Sequence, residues 1–142
     1  MAAGSRRAVG NSKEAVIRGW FDAFNRRDLD GMLKRFDPRI EFQPLRFPGV
    51  EQSYVGHEGI RAWYGDICDA GHLHRIEAGD FAAMDDGRII VGGSVTLAAV
   101  GAIAPFSGVY TLDRGLILRA FHYFTPGEVL ERLGIIDYGP AS

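Results

Sequence analysis

The sequence predicts an α+β domain: three N-terminal helices packed on a strongly bent, mainly antiparallel sheet that curls into a cone-shaped barrel around a hollow. Three observations lead there. The hydrophobic period changes once, near residue 70, from helical to alternating. Asp85-Asp86-Gly87 and Asp113-Arg114-Gly115 punctuate the second half as hairpin turns. Gly92-Gly93 falls in the middle of an extended run, where a bulge or bend lets a sheet curl.

Taken in order, residues 1–11 read as a frayed arm, 12–135 as one domain and 136–142 as a tail. Asn11, with Glu14 three residues on, reads as an N-cap and capping box. It opens a helix over 12–26, in which Val16, Trp20 and Phe24 make one apolar stripe and Ile17 and Phe21 a second. Asp28 caps a short second helix carrying Leu29, Met32, Leu33 and Phe36, ended by Asp37-Pro38. Ile40 and Phe42 alternate with Glu41 and Gln43, predicting a strand over 39–45 with Pro44 at an edge or bend. Residues 46–55 are a loop by their Pro and Gly. A third helix follows Gly56, with Ile60, Trp63, Tyr64 and Ile67 at helical spacing, and Gly71 closes it. Strands are predicted at about 72–84, 88–100, 103–112 and 116–124, with a turn or two of helix at 128–133.

With 142 residues the chain matches one domain of about 100–150 residues. Lys and Arg total 16 against 18 Asp and Glu, a net charge of −2. That balance argues against a nucleic-acid or anionic-membrane binder, which shows a basic excess. No apolar run is long enough for a membrane span or a secretory leader, so a cytoplasmic setting is expected. The single Cys68 excludes an internal disulfide and reads as a small apolar residue near a helix end.

Strand parity places Leu118, Ala120, His122 and Phe124 on one face and Ile117, Arg119, Phe121 and Tyr123 on the other. Both faces are largely apolar, one for the hollow and one for a partner. A homodimer is therefore expected through Ile117, Phe121 and Tyr123, extended to Phe106 and Tyr110. His122 reads either as an ionisable group turned into the hollow or as a hydrogen-bonded core histidine. His72 and His74 have a spacing that suits two metal ligands, but an exposed strand start explains them as well, and no third ligand is near. No metal and no cofactor is expected. His57, at a helix start, reads as a capping residue.

The strings Trp20-Phe-Asp-Ala-Phe-Asn-Arg-Arg-Asp28, Ile40-Glu-Phe-Gln-Pro44, Gly56-His-Glu-Gly-Ile-Arg-Ala-Trp-Tyr64 and Leu116-Ile-Leu-Arg-Ala-Phe-His-Tyr-Phe124 resemble the nuclear transport factor 2-like (cystatin-like) superfamily, in its SnoaL-like, polyketide cyclase-like branch. This resemblance spans about residues 12–135 and implies the fold strongly and the activity weakly, since the scaffold hosts many functions. Set against ketosteroid isomerases, Trp20 stands where they carry an oxyanion-hole tyrosine, Gln43 where they carry the general base, and Ser107 where they carry a protonated aspartate. An amide cannot act as a base, so that chemistry is excluded. Limonene epoxide hydrolases need an acidic pair in the hollow, whereas Asp113 is the only acid from 88 to 124. In the SnoaL-like cyclases the acid/base aspartate lies on the last strand, where this chain has His122, a residue able to take and return a proton near neutral pH.

The resemblance thus implies a cofactor-free cyclase or isomerase acting on a hydrophobic, carbonyl-bearing or polyketide-like molecule. His122 and Tyr64 are its catalytic candidates, and Trp20, Gln43, Trp63, Ser107, Leu118 and Ala120 its substrate-binding candidates. The alternative is a non-catalytic binding or accessory protein that uses the same hollow.

Overall fold

The computed structural model describes residues 6–7, 10–47, 49–71, 73–97 and 101–124. The segment 128–133 and His72 fall outside them, as does the side chain of His74. The elements are β1 (Arg6–Arg7), α1 (Asn11–Asn25), α2 (Leu29–Leu33), β2 (Phe36–Gln43), β3 (Tyr54–Val55), α3 (Gly56–Ala70), β4 (Leu73–Met84), β5 (Ile89–Leu97), β6 (Ala102–Asp113) and β7 (Leu116–Tyr123). One curled, open sheet runs in the order β1-β4-β5-β6-β7-β2-β3. Every neighbouring pair is antiparallel except β2 and β7, which run parallel.

Helix α1 starts one residue before the expected position. Gly10 is its N-cap, with no side-chain cap, and Asn11 is already helical. Asp28 caps α2 as expected, accepting from the Gly31 N–H at 3.0 Å. That helix stops at Leu33, and Phe36 pairs instead with Ile117 as the first residue of β2. The β2–β7 register then shifts between Phe36 and Glu41, so Pro38, which has no N–H to donate, sits in the irregular stretch. Gly71 closes α3 in the left-handed region at φ 69°. Arg114 and Gly115 both have positive φ, as the tight β6–β7 hairpin requires.

The sheet bends where the glycines predicted it, although the extra residue belongs to the neighbouring strand. The β4–β5 register shifts between Ala78 and Asp80, opposite Gly92 and Gly93. A Cβ on Gly93 would lie 2.2 Å from the Glu77 carbonyl oxygen, so only glycine lets the backbones approach this closely.

Parity along β7 fails at a second bulge. Thr111 pairs with Arg119 but Leu112 pairs with Ile117, leaving Leu118 as the inserted residue. Ile117 therefore turns inward with Ala120 and His122, and Leu118 leaves the inner set. Phe106 and Tyr110 are also core residues, contrary to their expected place on the dimer face. The core lies between the sheet and the apolar stripes of α1 (Ile17, Trp20, Phe21, Phe24) and α3 (Ile60, Trp63, Ile67).

Candidate functional site

The inner face of the sheet and the two long helices enclose a hollow. Trp20 and Trp63 reach it from α1 and α3, Phe42 from β2, Phe106 from β6 and His122 from β7; the β2–β3 loop adds Pro44, Leu45 and Phe47. The unfilled space out through its mouth is about 320 Å³, but the part open to a water-sized body is only about 20 Å³. That is room for about one water molecule. A larger ligand has to displace side chains, and Leu45 and Phe47, on an irregular segment, are the lining residues least held by regular structure.

Aromatic edges fill the wall. Trp20 meets Phe42 and Trp63 edge-on with centroids 5.9 Å away in each case, and Phe42 meets Trp63 at 4.9 Å. Within this apolar wall one polar chain is threaded. Trp20 Nε1 donates to Tyr110 Oη at 2.9 Å, Tyr110 Oη lies 2.6 Å from His122 Nε2, and His122 Nδ1 lies 2.9 Å from the Gln43 main-chain oxygen. Chemistry fixes every direction. A carbonyl only accepts, so Nδ1 carries the hydrogen; the neutral ring then accepts at Nε2, and Tyr110 donates to it. Gly108 makes room for both rings, since a Cβ there would lie 2.7 Å from Tyr110 Cε1 and 3.2 Å from His122 Cδ2.

His122 is 6% exposed. Burial penalises its charged form and lowers its pKa to about 4, against a smaller opposing pull from the Gln43 carbonyl. The ring is therefore neutral at physiological pH, with both nitrogens bonded inside the protein. Burial also pushes the Tyr110 phenol up. Both groups are thus held in their neutral forms, His122 resisting uptake of a proton and Tyr110 resisting loss of one, the reverse of what a group exchanging one near pH 7 needs.

The structure brings together three of the sequence candidates, Trp20, Trp63 and His122, on the wall of the hollow. The others lie elsewhere. The Gln43 side chain alternates with inward Phe42 and so shares the outer face with Glu41; only its main-chain oxygen reaches His122. Ser107 alternates with Phe106 and Tyr110 and pairs with Tyr123, which puts it on the outer face too. Ala120 is buried in the core and Leu118 is the bulged residue, neither lining the hollow. Tyr64 packs edge-on to Phe24 and meets the Cys68 side chain, away from the cavity. The hydroxyl that pairs with Trp20 belongs instead to Tyr110. Its signal was the Gly108-x-Tyr110 pattern, which places a ring beside a gap on the strand facing β7. His57 does not cap α3; its Nε2 donates to the Phe36 carbonyl at 2.8 Å, tying the helix to β2. Among the described residues no three His, Cys, Asp or Glu side chains cluster to hold a metal.

Residues 17–120 match the SnoaL-like domain family. The chain belongs to that family. Solved structures agree on the fold. TerC, co-crystallised with polyporic acid, superposes with a TM-score of 0.70 at 22% identity, covering 85% of this chain and 97% of its own. An NTF2-like protein of unknown function from Burkholderia pseudomallei gives 0.68 at 23%, covering 86% and 97%. A candidate polyketide cyclase from Sinorhizobium meliloti gives 0.64 at 18%, covering 80% and 99%. No curated protein matches the chain. Among the described residues no helix is long and apolar enough to cross a membrane.

Proposed function

We propose that this SnoaL-like protein binds a compact, largely apolar, ring-bearing molecule in the hollow and does not use His122 to transfer protons to it. The observation that carries this reading is the state of His122, the one ionisable side chain among the described residues that line the aromatic wall. It is neutral, and both its nitrogens are committed to Tyr110 and Gln43. A base held near pKa 4 has little driving force at pH 7. TerC, which shares the fold, was crystallised with polyporic acid, so that compound and 1-tetralone are suitable first probes. Tryptophan fluorescence titrated with each is expected to change saturably, with Trp20 and Trp63 both on the wall. The ligand is expected to return unchanged after long incubation. No saturable change with either probe contradicts the binding reading.

One observation favours a second reading, the cyclase or isomerase type. Nε2 of His122 is unprotonated, and a substrate that displaced the Tyr110 hydroxyl would meet a free acceptor. Product formation that falls by about 10²-fold or more in His122→Gln would establish it.

We also propose that the chain pairs with a second copy through the outer sheet face. The patch is narrower than the sequence suggested, because Val109 and Tyr123 are already 4% and 9% exposed within one chain. Support comes from a groove of about 360 Å³ in which Val109 and Phe121 adjoin charges of both signs, Glu41, Arg88 and Arg119. Arg119 lies 3.4 Å from Glu41, and two-fold symmetry could exchange such pairs between copies. A dimer mass at micromolar concentration is expected; a monomer mass contradicts the pairing.

A further inference from the structure

Among the described residues that line the hollow, one buried polar group takes no part in the Trp20–Tyr110–His122–Gln43 chain. Trp63 is 2% exposed and lines the cavity, yet its Nε1 has no hydrogen-bond partner among the described residues. Its neighbours explain the isolation. Phe42, Phe24 and Trp20 surround the indole with centroids at 4.9, 5.6 and 5.9 Å, and none offers an accepting oxygen or nitrogen. The other indole nitrogen is satisfied by Tyr110, and His122 has no lone pair left once Tyr110 donates to it.

A buried N–H without an acceptor costs free energy that a well-placed acceptor returns. Nature leaves few such groups in a core, and this one lies on the wall of the molecule's apolar cavity. Resting on the binding reading above, we infer that the indole N–H of Trp63 is the donor that recognises the polar end of the ligand. The site therefore selects a ring compound bearing an acceptor oxygen, such as a cyclic ketone, over a hydrocarbon of the same shape. The aromatic edges hold the ring and Trp63 holds the oxygen, while His122 stays bonded to Tyr110. Selectivity arises because a hydrocarbon would fill the space and seal the N–H away unpaired.

The test compares 1-tetralone with tetralin, which differ by the carbonyl, in fluorescence or calorimetric titrations of the whole protein. The ketone is expected to bind about tenfold more tightly, and Trp63→Phe to bring the ratio of the two affinities to about one, whatever contact both ligands lose with the smaller ring. A second readout uses the unaltered chain labelled with ¹⁵N-tryptophan, which has two indole N–H resonances. The ketone should move the Trp63 signal downfield and leave the Trp20 signal, already bonded to Tyr110, nearly in place; tetralin should not move the Trp63 signal downfield. Equal binding of both compounds, with no downfield shift from the ketone, overturns the role of Trp63 and leaves the binding reading standing. Failure of both compounds to bind overturns this inference, and the binding reading falls with it only if polyporic acid does not bind either.

Discussion

Replacing Trp20 by alanine is expected to cost about 3–5 kcal/mol of stability and to move the His122 pKa up toward its ordinary value. The indole is 1% exposed and contacts Phe21, Phe36, Phe42 and Trp63, so truncation opens a cavity where α1, the sheet and α3 meet. It also removes the donor that Tyr110 accepts from. Water admitted beside Tyr110 and His122 relieves the burial that holds the imidazole neutral. Denaturant unfolding gives the first quantity and an NMR titration of the ring the second. A cost below about 1.5 kcal/mol would show that the site collapses around the missing ring. An unmoved His122 would show that Trp20 does not keep it dry.

Lowering the pH from 7 to near 4 is expected to remove about 3 kcal/mol of stability through His122 alone. The sign follows from the depressed pKa, about 4 in the folded chain against 6.5 for an ordinary histidine. Between those values the unfolded chain takes up a proton that the native ring refuses. Stability from this group is therefore full above about pH 6.5 and declines as the pH falls toward 4. Asp37 and Asp86 are held below the usual 3.8 by Arg39 and Arg88, so their losses come at lower pH and stay outside this window. Guanidinium midpoints at pH 7.5 and 4.5 should differ in the native protein and much less in His122→Gln. Equal slopes in the two proteins would assign the effect to other groups.

Much of this architecture was readable because its signals are local. The stripe Ile17, Trp20, Phe21 and Phe24, the Asp28 cap and the Gly71 stop each follow from a few neighbouring residues, and the two long helices lie within a residue of their expected bounds, while α2 ends three residues early because Phe36 pairs into β2. Turn chemistry at Asp85-Asp86-Gly87 and Asp113-Arg114-Gly115 likewise marked the hairpins. The site was less legible because face assignment depends on counting by twos across long strands. A single inserted residue, Leu118, moved Ile117 from the outer to the inner set. Gln43 and Ser107 were placed in the hollow by likeness to positions in other proteins, and alternation with Phe42 and Phe106 turns both outward. The parallel pairing of β2 with β7 leaves no local trace, yet it is what brings the Gln43 carbonyl to His122. The two-residue strands β1 and β3 are too short to carry a period.

The His122 imidazole has both its hydrogen bonds already spent inside the protein. Long-range ¹H–¹⁵N NMR of the histidine ring nitrogens, followed from pH 8 to 4, reads this directly. His122 is expected to carry its hydrogen on Nδ1, leave Nε2 unprotonated, and stay neutral until the pH approaches 4. A ring that titrates near 6.5, or that carries its hydrogen on Nε2, would contradict it and return His122 to the role of an acid/base group.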